Sequence, residues 1–295
     1  MCGSAHSCAS RSKKRPLHES SACIDENNVK IDLPSGRFAL DDIGNGLPVL
    51  FLHGFPHTRA LWRHQVAALS QHVRCIAVDL RGFGESTTDG PYGIEQYALD
   101  VCAVLDHLEI EQAVIAGLSM GGYIAMGCWR HCPERVLALC LLDTQMNADD
   151  EAGRAKRNAL MDRVRTEGVE ALVEAQLPGM LGRTTRAQRP DLVTEMKEMM
   201  GSAGTSGILG ALAALRDRPD ATDTMSSVRV PTQVIVGDED ALTPPAKAEQ
   251  LIAQLPAGTA RRFDLIAGAG HASCLERPSA VNHVMLEFLN LVQRT

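Results

Sequence analysis

The chain has 295 residues, of which 45% are hydrophobic and 22% charged, so it can bury one large core and has the balance of an ordinary globular protein. A formal net charge of −7 opposes binding to phosphate backbones, and an aromatic content of 4% argues against a carbohydrate platform or a surface for stacking single-stranded bases. No segment reaches the ~18 continuous apolar residues of a membrane span, which leaves a small neutral or apolar molecule as the expected partner.

Residues 1–28 are rich in Ser, Cys and charge, with a basic cluster at Arg11, Lys13, Lys14 and Arg15. They lack the apolar run of about 7–15 residues that a signal peptide needs, so a disordered tail is expected. Cys2, His6, Cys8 and Cys23 have no recognisable metal-ligand spacing.

From residue 29 onward short apolar runs alternate with amphipathic stretches, the pattern of strands leading into helices and so of a mostly parallel sheet. Strands are predicted at 29–33 and 37–43, as an opening hairpin, then at 49–52, 73–78, 113–116, 136–142, 232–236 and 262–266. Helices are predicted at 59–70, 95–108, 120–132, 245–255 and 279–292, covering both faces of an eight-stranded sheet. Residues 147–227 contain no convincing strand, and a structureless loop of that length does not fit a compact protein. A helical cap is therefore expected at 147–227, inserted into a core of 29–146 and 228–295. Its methionines (Met161, Met180, Met196, Met199 and Met200) suit helix packing, or alternatively the lining of an apolar pocket.

Of nine cysteines, Cys75, Cys102, Cys128, Cys132, Cys140 and Cys274 sit among apolar neighbours and read as buried free thiols. Cys128 and Cys132 are four apart, but no second pair completes a zinc site. A reducing, cytoplasmic setting is the corresponding expectation.

The chemistry centres on Gly117, Leu118, Ser119, Met120 and Gly121, followed by Gly122. A G-x-S-x-G pattern arises by chance about 0.1 times in a chain of this composition, so its context matters more than its letters. Here it lies between an apolar strand and a helical pattern, at a turn that holds a serine hydroxyl exposed above the sheet, with the helix N-terminus favouring developing negative charge. A serine needs a base and a group to orient it. After Ser119 the histidines are His131, His271 and His283. The first and last fall in helices, whereas His271 follows Gly268, Ala269 and Gly270 at the carboxyl end of a strand, where sites on open α/β sheets form. His271 is the expected base. The acid should follow the preceding strand, where Asp238, Glu239 and Asp240 compete.

With these residues in place, the chain from residue 29 to its end resembles the α/β-hydrolase superfamily, and within it the small esterases, 3-oxoadipate enol-lactonases and cofactor-free haloperoxidases. The resemblance implies that the acid stands three after the glycine, in Gly237 to Asp240 before Thr243 and Pro244, with Asp238 as runner-up. It implies an oxyanion hole from the backbone N–H groups of Met120 and of Phe55, the latter in the run His53, Gly54, Phe55, Pro56, and a loop-fixing role for His53. The run Asp79, Arg81, Gly82, Gly84 and Ser86 resembles a turn-fixing loop of these hydrolases, and Leu275, Glu276, Arg277 and Pro278 resemble the entry to their final helix.

The expected activity is hydrolysis of a carboxylic ester or lactone with a small or medium acyl group, through an acyl-enzyme on Ser119, with no metal or organic cofactor. Serine at the elbow, in place of Asp, disfavours dehalogenase and epoxide hydrolase chemistry. Enol-lactonase, carbon–carbon bond hydrolase and perhydrolase activities would use the same three residues. A non-catalytic small-molecule receptor on the same scaffold is the rival from another class.

Overall fold

Alternation of side chains along the central strands accounts for a sheet with two buried faces. The computed structural model describes Met1 and residues 28–294 apart from Pro91. Its strands are β1 (Asn28–Leu33), β2 (Gly36–Ile43), β3 (Pro48–Leu52), β4 (Arg74–Val78), β5 (Ala113–Leu118), β6 (Val136–Leu142), β7 (Thr232–Gly237) and β8 (Arg261–Ile266). They form one sheet in the order β1-β2-β4-β3-β5-β6-β7-β8. The pairs β1/β2 and β2/β4 are antiparallel, and every other pair is parallel.

On β3 and β4, Leu50, Leu52, Ile76 and Val78 face one core, while Val49, Phe51, Cys75 and Ala77 face the other. The first face is covered by α2 (Ile94–His107) and α3 (Met120–His131), through residues such as Tyr97, Val101 and Ile124. The second is covered by α1 (Arg63–Leu69) and α12 (Pro278–Val292), through Val66, Val281, Met285 and Phe288. Apolar residues at helical spacing thus meet apolar residues at strand spacing, at roughly 25 cal/mol for each Å² removed from water.

Between β6 and β7 the chain forms six helices: α4 (Glu151–Glu167), α5 (Val169–Met180), α6 (Arg183–Gln188), α7 (Pro190–Gly201), α8 (Thr205–Arg216) and α9 (Thr222–Ser227). Asp150 starts α4 by accepting from Gly153 N at 2.7 Å, which satisfies one of the unpaired N–H groups of the first turn. This insertion contributes Leu160, Leu172, Ile208 and Leu212 to the first core and Val173, Met196 and Met200 to the second. After β7 come α10 (Pro245–Gln254) and, past β8, the short α11 (Ser273–Glu276). Among the described residues no helix is long and apolar enough to cross a membrane.

One expectation is corrected. Cys102 on α2 and Cys132 at the end of α3 form a disulfide, so they are not free thiols, and the argument for a reducing setting loses two of its six cysteines. Their pairing arises because α2 packs along α3, a contact between residues thirty apart that spacing alone does not reveal. Cys75, Cys128, Cys140 and Cys274 are free and buried, and burial pushes the Cys75 and Cys128 thiols up to about 12. Cys2, His6, Cys8, Cys23 and the basic cluster of the tail lie outside the described residues.

Candidate active site

Ser119 joins β5 to α3 with φ 53° and ψ −111°, a backbone region that L-residues occupy only when their surroundings enforce it. The enforcement is steric. A Cβ at Gly117 would lie 2.2 Å from Gly121 O, and one at Gly121 would lie 2.1 Å from Leu52 O, so strand, turn and helix meet at a distance only glycine allows. Hydrogen bonds hold the turn: Ser119 N donates to Leu142 O at 2.9 Å, and the Thr144 hydroxyl donates to Ser119 O at 2.9 Å. Met120, fully buried, opens α3, so its N–H belongs to the first turn, which has no intrahelical acceptor.

Phe55 approaches the same point. A Cβ on the neighbouring Gly54 would sit 3.3 Å from Ser119 Cβ. The loop carrying both is fixed by His53, whose Nε2 accepts from Leu80 N at 3.0 Å while Nδ1 lies 2.8 Å from Gly54 O. Because a backbone N–H can only donate, the proton is on Nδ1, and burial lowers the pKa of this neutral ring. His53 is thus engaged on both nitrogens, by its own loop through Gly54 and by the segment after β4 through Leu80. Asp79 fixes the following turn, accepting from Arg59 N at 2.7 Å and Glu85 N at 3.0 Å, and Arg81 forks onto Asp100 at 2.8 and 2.6 Å.

His271 is 3% exposed, and its Nδ1 lies 2.9 Å from Asp240 Oδ2. Asp240 also accepts from Leu242 N at 2.8 Å, Thr243 N at 2.9 Å and the Thr243 hydroxyl at 2.7 Å. With the proton on Nδ1, the His271 lone pair is on Nε2. Burial works to lower the His271 pKa, but the Asp240 carboxylate, together with Asp143 and Glu276, works to raise it, and the net direction is upward. Burial likewise works to raise Asp240, and the adjacent imidazole turns the net shift downward. The two other carboxylates of the loop point elsewhere. Asp238 accepts from Gly268 N at 2.7 Å, and Glu239 accepts from Thr184 N at 2.8 Å and the Thr184 hydroxyl at 2.5 Å.

Ser119, His271, Phe55 and Thr243 line one cavity of about 230 Å³, whose remaining wall includes Leu160, Met180 and Leu215 from the insertion. Of the five methionines singled out in the sequence, Met180 lines this cavity, while Met161, Met196 and Met200 are buried in the cores and Met199 packs against one of them.

One carboxylate, Asp143, escaped the sequence reading, and a second, Glu276, was noted only as part of the final helix entry. Asp143, fully buried at the end of β6 with φ 45°, accepts from Gly237 N at 2.9 Å and from the Ser273 hydroxyl at 2.5 Å. Burial, reinforced by Asp240, holds its pKa well above the usual range. Glu276 accepts from Gly270 N and Gly182 N, each at 2.8 Å. A non-glycine residue after an apolar strand was the only available signal for Asp143, and it is not specific.

A family model for the alpha/beta hydrolase fold matches residues 48–278. The chain belongs to the α/β hydrolase family. This hydrolase is 30% identical over 264 residues to the AB hydrolase superfamily protein YisY of Bacillus subtilis, covering 85% of this chain and 94% of that one. It is 27% identical to 3-oxoadipate enol-lactonase 2 of Acinetobacter baylyi, covering 80% of this chain and 86% of the relative. Among solved structures, a malate-bound thermophilic esterase from Thermogutta terrifontis superposes with a TM-score of 0.85 at 34% identity, covering 90% of this chain and 98% of that chain.

Proposed function

We propose that this α/β hydrolase cleaves carboxylic esters through an acyl-enzyme on Ser119. The observation that carries the reading is that Ser119 and His271 line one cavity while His271 is bonded to the buried Asp240. His271 Nε2 takes the Ser119 proton as Oγ bonds to the scissile carbonyl carbon, and Asp240 holds the imidazole in the required tautomer and stabilises the imidazolium. The oxyanion receives hydrogen bonds from the N–H groups of Met120 and Phe55. His271 then gives the proton to the departing alcohol as the carbon–oxygen bond breaks. Water, deprotonated by the same nitrogen, releases the acid and restores Ser119.

Helices α4 to α9 act as a cap that supplies the cavity's outer wall. The volume of about 230 Å³ is below the usual range for drug-sized ligands and suits a small or medium acyl group. A lactone is the favoured second substrate type, on the similarity to an enol-lactonase over 80% of this chain. Labelling with a fluorophosphonate tests the mechanism: the wild-type protein reacts and Ser119→Ala does not. Absence of labelling in the wild type, or equal labelling of both, refutes it and favours a non-catalytic receptor.

A further inference from the structure

The last strand of the sheet has one edge of its backbone without a strand partner. β8 ends the strand order and, among the described residues, pairs with β7 alone. In that parallel ladder Thr232 N donates to Ala260 O and Asp238 N donates to Ile266 O. Even-numbered residues therefore turn their backbone groups toward β7, and Arg261, Phe263 and Leu265 turn theirs outward. The strand contains no proline and runs beside β7 without a bulge, so it lacks two of the devices that blunt a free edge.

Its side chains alternate between the two faces of the sheet. Phe263 and Leu265 share a face with their β7 neighbours Val234 and Val236, yet they are 36% and 54% exposed. Arg262 and Asp264 share the opposite face, beside α12. Arg262 Nε lies 2.8 Å from Asp264 Oδ2, Arg262 Nη2 lies 2.7 Å from Glu287 Oε2, and Gln233 on β7 donates to Asp264 at 2.7 Å. Leu291, one turn after Glu287 on α12, is 48% exposed and extends the apolar surface at this edge.

The edge is self-complementary in one register. A second copy of β8, approaching antiparallel about a twofold axis, must set outward residues against outward residues to form hydrogen bonds. When Phe263 meets its own counterpart, Arg261 falls opposite Leu265, and Arg262 of each copy falls opposite Asp264 of the other. The four charges then alternate in sign around a square. The neighbouring registers that keep outward residues together set Arg262 against Arg262 or Asp264 against Asp264, and like charges directly opposite destabilise a strand pair. The charged pair thus rejects slipped pairings and admits one.

We propose that this protein forms a twofold dimer by antiparallel pairing of β8 with β8 of a second copy, with Phe263 against Phe263 and Arg262 against Asp264. The contact is isologous, so it closes as a dimer and does not propagate into a fibre. β8 runs into Gly268, Ala269, Gly270 and His271, so the pairing steadies the strand that leads to His271, while each cavity remains within one chain.

Sedimentation velocity of the full chain over a concentration series tests the assembly. The wild type is a dimer. Phe263→Glu sets like charges together at the twofold axis and raises the dissociation constant by about tenfold or more, as loss of a central aromatic anchor does. Arg262→Asp and Asp264→Arg each bring four like charges together and are monomers alone, whereas an equimolar mixture of the two forms a heterodimer, because each chain carries the charges that the other faces. Leu99→Glu, a similar change at an exposed residue of α2, leaves the assembly unchanged. Circular dichroism and melting temperature separate loss of the dimer from loss of the fold. A wild type that is monomeric at every concentration, a dimer that survives Phe263→Glu, or a mixture of the two folded charge variants that stays monomeric overturns the proposal. Should either charge variant fail to fold, the wild type and Phe263→Glu decide it alone.

Discussion

Asp143 and Ser273 tie the end of β6 to the residue two beyond His271: the carboxylate accepts the Ser273 hydroxyl at 2.5 Å and its amide at 3.3 Å. The other Asp143 oxygen accepts from Gly237 N, at the start of the loop that carries Asp240. The loops that carry Asp240 and His271 therefore share one buried anchor. In Asp143→Asn an amide nitrogen must face a backbone N–H at one of these contacts. An unmet buried group of this kind costs about 1–3 kcal/mol. We expect kcat for a p-nitrophenyl ester to fall by about tenfold with KM little changed, and the melting temperature to drop. Ser273→Ala, which removes only the hydroxyl bond, should have the smaller effect in both measurements.

The two candidate acids separate by kinetics. Asp240→Asn should lower kcat by about 10³- to 10⁴-fold, as loss of the orienting carboxylate does in triad enzymes. Asp238→Asn, whose carboxylate bonds Gly268 N, should stay within a few-fold of the wild type. The reverse order would reassign the acid.

The pH profile follows from the direction of the His271 shift. Burial lowers its pKa, while Asp240, with smaller contributions from Asp143 and Glu276, raises it, and the net direction is upward. The base must be neutral to accept the Ser119 proton, so kcat/KM is high above the raised pKa and is lost as pH falls through it. Replacing Asp240 by Asn removes the main raising influence. The residual activity of that variant should then persist to lower pH than wild-type activity does. An acid limb that stays in place or moves upward in the variant would show that another group controls it.

Gly121→Ala probes the tight elbow without touching a reactive group. The new Cβ would lie 2.1 Å from Leu52 O, a backbone atom in the middle of the sheet, so β3 or α3 must shift. Overpacking of this kind costs about 1–3 kcal/mol, a fall of about 3–10 °C in melting temperature for a domain of this size. Gly201→Ala, with nothing within 4 Å of the added carbon, should be neutral or slightly stabilising. Calorimetry or dye-based melting of the pair decides the matter.

Glu276 offers a further test, since its two oxygens bond Gly270 N and Gly182 N and both contacts need acceptors. Glu276→Gln replaces one acceptor by a donor and should loosen the junction between the His271 loop and the insertion. Faster limited proteolysis within residues 181–189, with a kcat/KM lower by about three- to tenfold, is the expected outcome. Unchanged cleavage would mean that the junction is held by its other bonds.

Local pattern made most of the sheet legible. Val49 and Phe51 alternate with Leu50 and Leu52 because opposite faces meet different helices, and that two-residue period is written in the sequence itself. The elbow was legible for a related reason, since glycine at positions 117 and 121 reflects close backbone approach. His271 could be isolated because the other late histidines fell in helical patterns. Asp143, Glu276 and the Cys102–Cys132 pair could not, because what matters about them is a contact with a distant segment. No periodicity encodes that Asp143 meets Ser273, 130 positions later. The placement of Lys156 and Arg157 in the cavity wall was hidden for the same reason: along the chain they look like one charged face of an exposed helix.

The stitching between the insertion and the core has a bearing on how such a protein can change. The segment around Met180 to Thr184 is bonded to the His271 loop through Ala272 N to Met180 O at 3.1 Å and through Glu276, and to the Asp240 loop through Glu239. By contrast, Lys156, Arg157 and Gln176 face the cavity from α4 and α5, upstream of that seam. Met180 belongs to both sets, lining the cavity and carrying the carbonyl that Ala272 N meets, whereas Lys156, Arg157 and Gln176 take no part in the bonds of the seam. Substitutions at Lys156, Arg157 and Gln176 can therefore alter the cavity wall while the seam keeps the His271 and Asp240 loops in register, so drift in one property need not be bought with loss of the other.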